Sequence, residues 1–103
     1  MSEKYILDPQ GVPILCEDIM EWGRWFESND NRKVAQTNIG DARVSTVFLG
    51  LDHRFGGHGL PILWETMIFG GPHDQYQRRY TSREAAEDDH RRIVEALRQG
   101  HEP

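Results

Sequence analysis

The side chains with chemical capacity gather in one glycine-rich stretch. Asp52-His53-Arg54-Phe55-Gly56-Gly57-His58 sets two imidazoles and a carboxylate within seven residues. Imidazole and carboxylate together form a donor set for zinc or another divalent ion. Asp52, His53 and His58 are therefore the metal candidates, although their spacing matches no metal motif. The glycines allow positive φ, so the same stretch also reads as a polar hairpin loop. Glu65 sits among apolar residues. Burial would raise its pKa and suit it to acid–base work, whereas a cation on a neighbouring strand, such as Arg43, would keep it ionised. His73-Asp74 follows the next strand, at the opposite end of that hairpin from the loop. His90 falls on an apolar helix stripe, the setting of a hydrogen-bonded core histidine. Cys16 is the single cysteine, which excludes an internal disulfide and a cysteine-based zinc site. It reads as a small buried residue. The chain contains no G-x-S-x-G elbow, P-loop or H-E-x-x-H. No catalytic residue and no cofactor is assigned.

These groups must be positioned by short elements. Tyr5-Ile6-Leu7 and Val12-Pro13-Ile14-Leu15 read as extended pieces around the turn Asp8-Pro9-Gln10-Gly11. Pro13 confines the second to an edge. Ile19, Trp22 and Phe26 recur at helical spacing, which predicts a helix over 17–28. Gly23 inside it implies close approach of the sheet between Trp22 and Trp25. Residues 34–39, 43–51 and 61–69 read as three strands of an antiparallel meander, joined by Gly40-Asp41 and by the 52–60 loop. Thr81 followed by Glu84 predicts a capping box for a last helix running to about Arg98, with Gly100 as its stop. The expected fold is one α+β domain over 1–103. It is an antiparallel meander of three to five strands with two helices packed on one face.

The turns also predict register. Ile39 should pair with Ala42, Ala35 with Thr46, Phe48 near Trp64 and Val44 near Ile68. Side chains alternate along strands, so Thr37, Val44, Thr46, Phe48, Trp64, Thr66 and Ile68 share the helix-covered face. The opposite face gathers Val47, Leu49, Leu51, Leu63, Met67 and Phe69 around Glu65. Two helices cannot easily cover both faces, and an exposed apolar cluster marks an interface. These seven residues are the interface candidates, unless the N-terminal hairpin or the segment from 72 to 80 folds over them.

Composition narrows the function classes. The chain has 103 residues, 37% of them hydrophobic, and a net charge of -5. No apolar run approaches the ~20 residues of a membrane span, so no membrane partner is expected. The acidic balance opposes direct nucleic-acid binding, which needs a basic surface. It leaves open an acidic inhibitor of a nucleic-acid-binding machine, with Glu87-Asp88-Asp89 the only acidic run of this kind.

Three segments carry a family likeness. Gly40-Asp-Ala-Arg-Val-Ser-Thr-Val-Phe-Leu-Gly-Leu-Asp-His, Trp64-Glu-Thr-Met-Ile-Phe-Gly-Gly and Arg79-Tyr-Thr-Ser-Arg-Glu-Ala-Ala resemble small proteins encoded by bacteriophages and prophages. The likeness implies a gene expressed in the bacterial cytoplasm and transfers no functional residue. The expected function is a non-enzymatic accessory role through protein contacts, as a homodimer or on a host protein. The alternative is a small metal-binding protein or enzyme using the 52–58 loop and Glu65.

Overall fold

The computed structural model describes residues 3–28, 32–54 and 59–103. The chain runs β1 (Tyr5–Leu7), β2 (Pro13–Leu15), α1 (Ile19–Ser28), β3 (Lys33–Ile39), β4 (Ala42–Phe48), β5 (Trp64–Phe69), β6 (Gln77–Tyr80) and α2 (Arg83–Arg98). β1 and β2 form an antiparallel hairpin, and β3-β4-β5-β6 form a four-stranded meander. This is the expected α+β class. Gly40 takes φ +56 in the tight turn, and Ile39 pairs with Ala42 across it. Ala35 then meets Thr46, Val44 meets Ile68 and Phe48 meets Trp64, as the turns predict. β6 has no counterpart among the elements expected from sequence. Its Gln77-Arg78-Arg79 are all exposed, so an edge strand hides its apolar alternation.

The covered face is organised in cross-strand rows. Phe48, Trp64 and Tyr80 form one row, Thr46 and Thr66 the next, Val44 and Ile68 a third. α2 lies across all four strands. Ala86 joins the cluster of the first row, with Leu7 and Leu63. Ile93 and Val94 join that of the third. His90 lies between them, over the threonines. α1 packs beside β1, and its Trp25 meets Phe48 edge-on, with ring centroids 5.9 Å apart.

Several local expectations change. Ser82, not Thr81, caps α2, with its side chain accepting from the Ala85 N–H. Gly100 stops the helix as expected, at φ +76. Its N–H donates to Leu97 and that of His101 to Ala96, which satisfies the last carbonyls. Asp18 caps α1 by accepting from the N–H of Met20 at 2.9 Å and Glu21 at 3.3 Å, so the helix begins two residues late. Nothing lies within 4 Å of a side chain built at Gly23. The glycine that allows close approach is Gly50, at φ +75 beneath Phe26 and Trp22. Leu63 also departs from expectation. It is 2% exposed and belongs to the core with Leu7, with Tyr5 packed against that cluster. The N-terminal hairpin folds over that end of the sheet, so Leu63 is buried rather than exposed on the outer face.

Candidate functional site

The 52-loop is closed around its own carboxylate. Asp52 Oδ1 accepts from the backbone N–H of Arg54 and of Ile62, each at 3.0 Å. Asp52 Oδ2 lies 2.6 Å from the Arg54 Nε. Burial pushes this carboxyl up, but the two backbone donors and the guanidinium more than reverse it, and its pKa falls below the usual value. Both oxygens are committed to holding the chain. The His53 backbone N–H donates to the Ile62 carbonyl at 3.0 Å, which ties the two sides of the loop together. His58 lies outside the described residues. Among the described residues no three His, Cys, Asp or Glu side chains cluster for a metal ion.

Glu65 is half-buried on the outer face and pairs with Arg79 of β6 at 2.9 Å. Arg43 instead stacks over Phe69, 4.8 Å from its ring centroid. The cation thus comes from the other neighbouring strand, β6, which carries no sequence signal of its own. Asp74 Oδ1 caps its own turn by accepting from the Gly70 N–H at 2.7 Å.

His90 anchors a buried polar arrangement. Its Nε2 lies 3.0 Å from Thr37 Oγ1 and its Nδ1 lies 2.7 Å from Thr46 Oγ1. Thr46 Oγ1 meets Thr66 Oγ1 at 2.6 Å. At the end of the same helix face the Tyr80 O–H donates to Asp89 Oδ2 at 2.5 Å. Asp89 also pairs with Arg92 and Arg78. Burial pushes the Asp89 carboxyl up, yet the Arg92 and Tyr80 hydrogen bonds and the two guanidiniums bring it below its ordinary value. An ionised Asp89 only accepts, so the Tyr80 O–H is its donor. A neutral His90 ring donates from one nitrogen and accepts at the other, so both nitrogens are satisfied by Thr37 and Thr46. Burial, with Arg91 adding to it, lowers the His90 pKa and keeps the ring neutral. The sequence places His90 as a bonded core histidine, which it is.

The exposed surface lies elsewhere. Val12 is 53% exposed, Ile14 44%, Leu15 48%, Ile19 61% and Met20 66%. These five fall within nine residues of β2 and the start of α1. On the outer sheet face Val47, Leu49, Leu51, Met67 and Phe69 are only half-exposed.

Protein families, curated proteins and solved structures offer no match to this chain. Its own geometry must therefore carry the functional reading. Among the described residues no helix is long and apolar enough to cross a membrane. The Val12–Met20 surface escapes a reading of the sequence because Ile19 and Met20 fit the apolar spacing of α1. Trp22 and Phe26 turn toward Gly50 and Trp25 toward Phe48, and the helix buries no residue fully.

Proposed function

We propose that this chain is a phage- or prophage-type accessory protein of the bacterial cytoplasm, non-enzymatic, acting through protein contacts. The supporting observation is the concentration of exposed apolar side chains between Val12 and Met20. A large aliphatic side chain contributes ~1.5–3 kcal/mol when fully buried. Five that are about half-exposed make roughly 4–8 kcal/mol available to a partner. That term competes with the loss of rotational and translational freedom on binding, so polar pairing at the rim must add to it. The outer sheet face has less to offer, since its apolar residues are already half-covered and Glu65 and Arg43 are engaged.

Light scattering after size exclusion, with capture from host lysate, tests the reading. Ile19→Asp/Met20→Asp should abolish whatever association the wild type shows, while Met67→Asp should leave it. Association that survives the first and fails with the second would move the interface to the sheet face. A wild type that stays monomeric and captures nothing the first variant loses would overturn the reading.

A further inference from the structure

A groove of about 350 Å³ opens between the hairpin, the segment leading into β5 and the entrance to α2. Val12, Pro13, Leu60, Pro61 and Trp64 give it an apolar lining, and Arg83 stands at its α2 end. An adjoining recess of about 260 Å³ shares Gly11 and Arg83 and adds Lys33 and Asp8. The Asp8 carboxylate is committed to the N–H groups of Gln10 and Val12, and Arg83 also lies 3.6 Å from Glu87. The groove is thus apolar, with Arg83 and Lys33 the cations beside it, on a chain whose net charge is -5. The positive end of the α2 dipole lies on the same side.

The same chain carries the complementary shape. Ile19 and Met20 open α1 and project into solvent, flanked by the exposed carboxylates Glu17 and Glu21. Asp18 bonds to the Met20 and Glu21 N–H groups, which fixes the knob on the helix end.

We infer that Ile19 and Met20 of one copy occupy the groove of a second copy, with Glu17 and Glu21 against Arg83 and Lys33. This rests on the accessory-protein proposal and names its partner. Two features favour a second copy. Apolar knob and apolar groove carry rims of opposite charge, which steers and fixes such a contact. Placed on a two-fold axis, the contact would also be made twice. Strand addition at β2 is disfavoured. The Asp8 N–H bonds to Val12 and the Cys16 N–H to Lys4. By antiparallel alternation, Pro13 and Leu15 then hold the outward-facing groups. Pro13 has no N–H, so the edge offers a single donor.

A charge-reversal mixing experiment tests the pairing. Arg83→Glu and Glu21→Arg each act on an exposed side chain, and circular dichroism confirms that both variants are folded. Each alone should self-associate about tenfold more weakly than wild type, a loss of ~1.4 kcal/mol. Mixed in equal amounts, they should regain wild-type association by light scattering, because both contacts of the mixed dimer again join opposite charges. If wild type self-associates and Ile19→Asp/Met20→Asp dissociates it, but mixing restores nothing, the pairing of copies fails and the accessory role through this surface stands. A monomeric wild type that holds a host protein through the same surface likewise refutes the pairing of copies and leaves that role intact. Self-association untouched by any of these substitutions overturns both.

Discussion

Thr46→Val removes one oxygen from the buried chain and keeps the branched shape. Thr46 Oγ1 lies 2.7 Å from His90 Nδ1 and 2.6 Å from Thr66 Oγ1, and the residue is 0% exposed. Water cannot replace it without opening the core. A buried donor left without an acceptor costs ~1–3 kcal/mol. Thr66 loses a hydrogen-bond partner as well. The sum is roughly 2–3 kcal/mol, or about 10–20 °C in Tm for a domain of this size. Urea and thermal unfolding followed by circular dichroism measure it, with an unchanged m-value expected. His90→Leu in the Thr46→Val background should cost less than in wild type, by about 1–2 kcal/mol, since both polar partners are then gone. If Thr46→Val lies within about 0.5 kcal/mol of wild type, or if the two losses simply add, the hydrogen bonds joining Thr37, His90, Thr46 and Thr66 are not what holds the core.

The neutral His90 makes stability depend on pH. The unfolded chain takes up the proton near the ordinary value of 6.5 while the folded state resists it, so stability falls as pH drops below about 6.5. His90→Leu should flatten the urea midpoint between neutral pH and pH 5. Asp52 and Asp89 have lowered values, so their contribution is complete above the unfolded value of 3.8 and lost as pH falls through the folded values. Asp52→Ala should cost ~2–4 kcal/mol at neutral pH by stranding the N–H groups of Arg54 and Ile62 together with the Arg54 guanidinium, and equilibrium denaturation reads this directly. Gly23→Ala meets nothing and should stabilise α1 by ~0.5–1 kcal/mol. Gly50→Ala, at φ +75 with Phe26 Cε2 only 2.9 Å from the new methyl, should destabilise by more than that; one thermal scan of both variants decides their opposite signs.

The β3-β4-β5 register is legible because Gly40-Asp41 allows one two-residue turn and the side chains alternate on both sides of it. β6 is not legible, because three exposed polar residues carry no period. His90 shows itself by its place on the α2 stripe. The register places Thr37, Thr46 and Thr66 on the face beneath it, but which of them the ring meets depends on where α2 settles along the strands. Alternation puts Val47, Met67 and Phe69 on one face, which directs a search for exposed surface to the sheet. Relative exposure depends on which end the N-terminal hairpin covers, and that is a tertiary fact. At Leu63 the hairpin reverses the expectation outright.

The threonine row has a consequence for how α2 finds its place. The apolar rows on either side, Phe48-Trp64-Tyr80 and Val44-Ile68, would accept an apolar helix stripe at more than one longitudinal setting. Sliding α2 by one turn would set Ala86 or Val94 over Thr46 and Thr66 and press His90 against hydrocarbon, leaving hydroxyls and imidazole unpaired. The polar row therefore works as an index mark on an otherwise slippery surface. It admits one turn of the helix and rejects its neighbours.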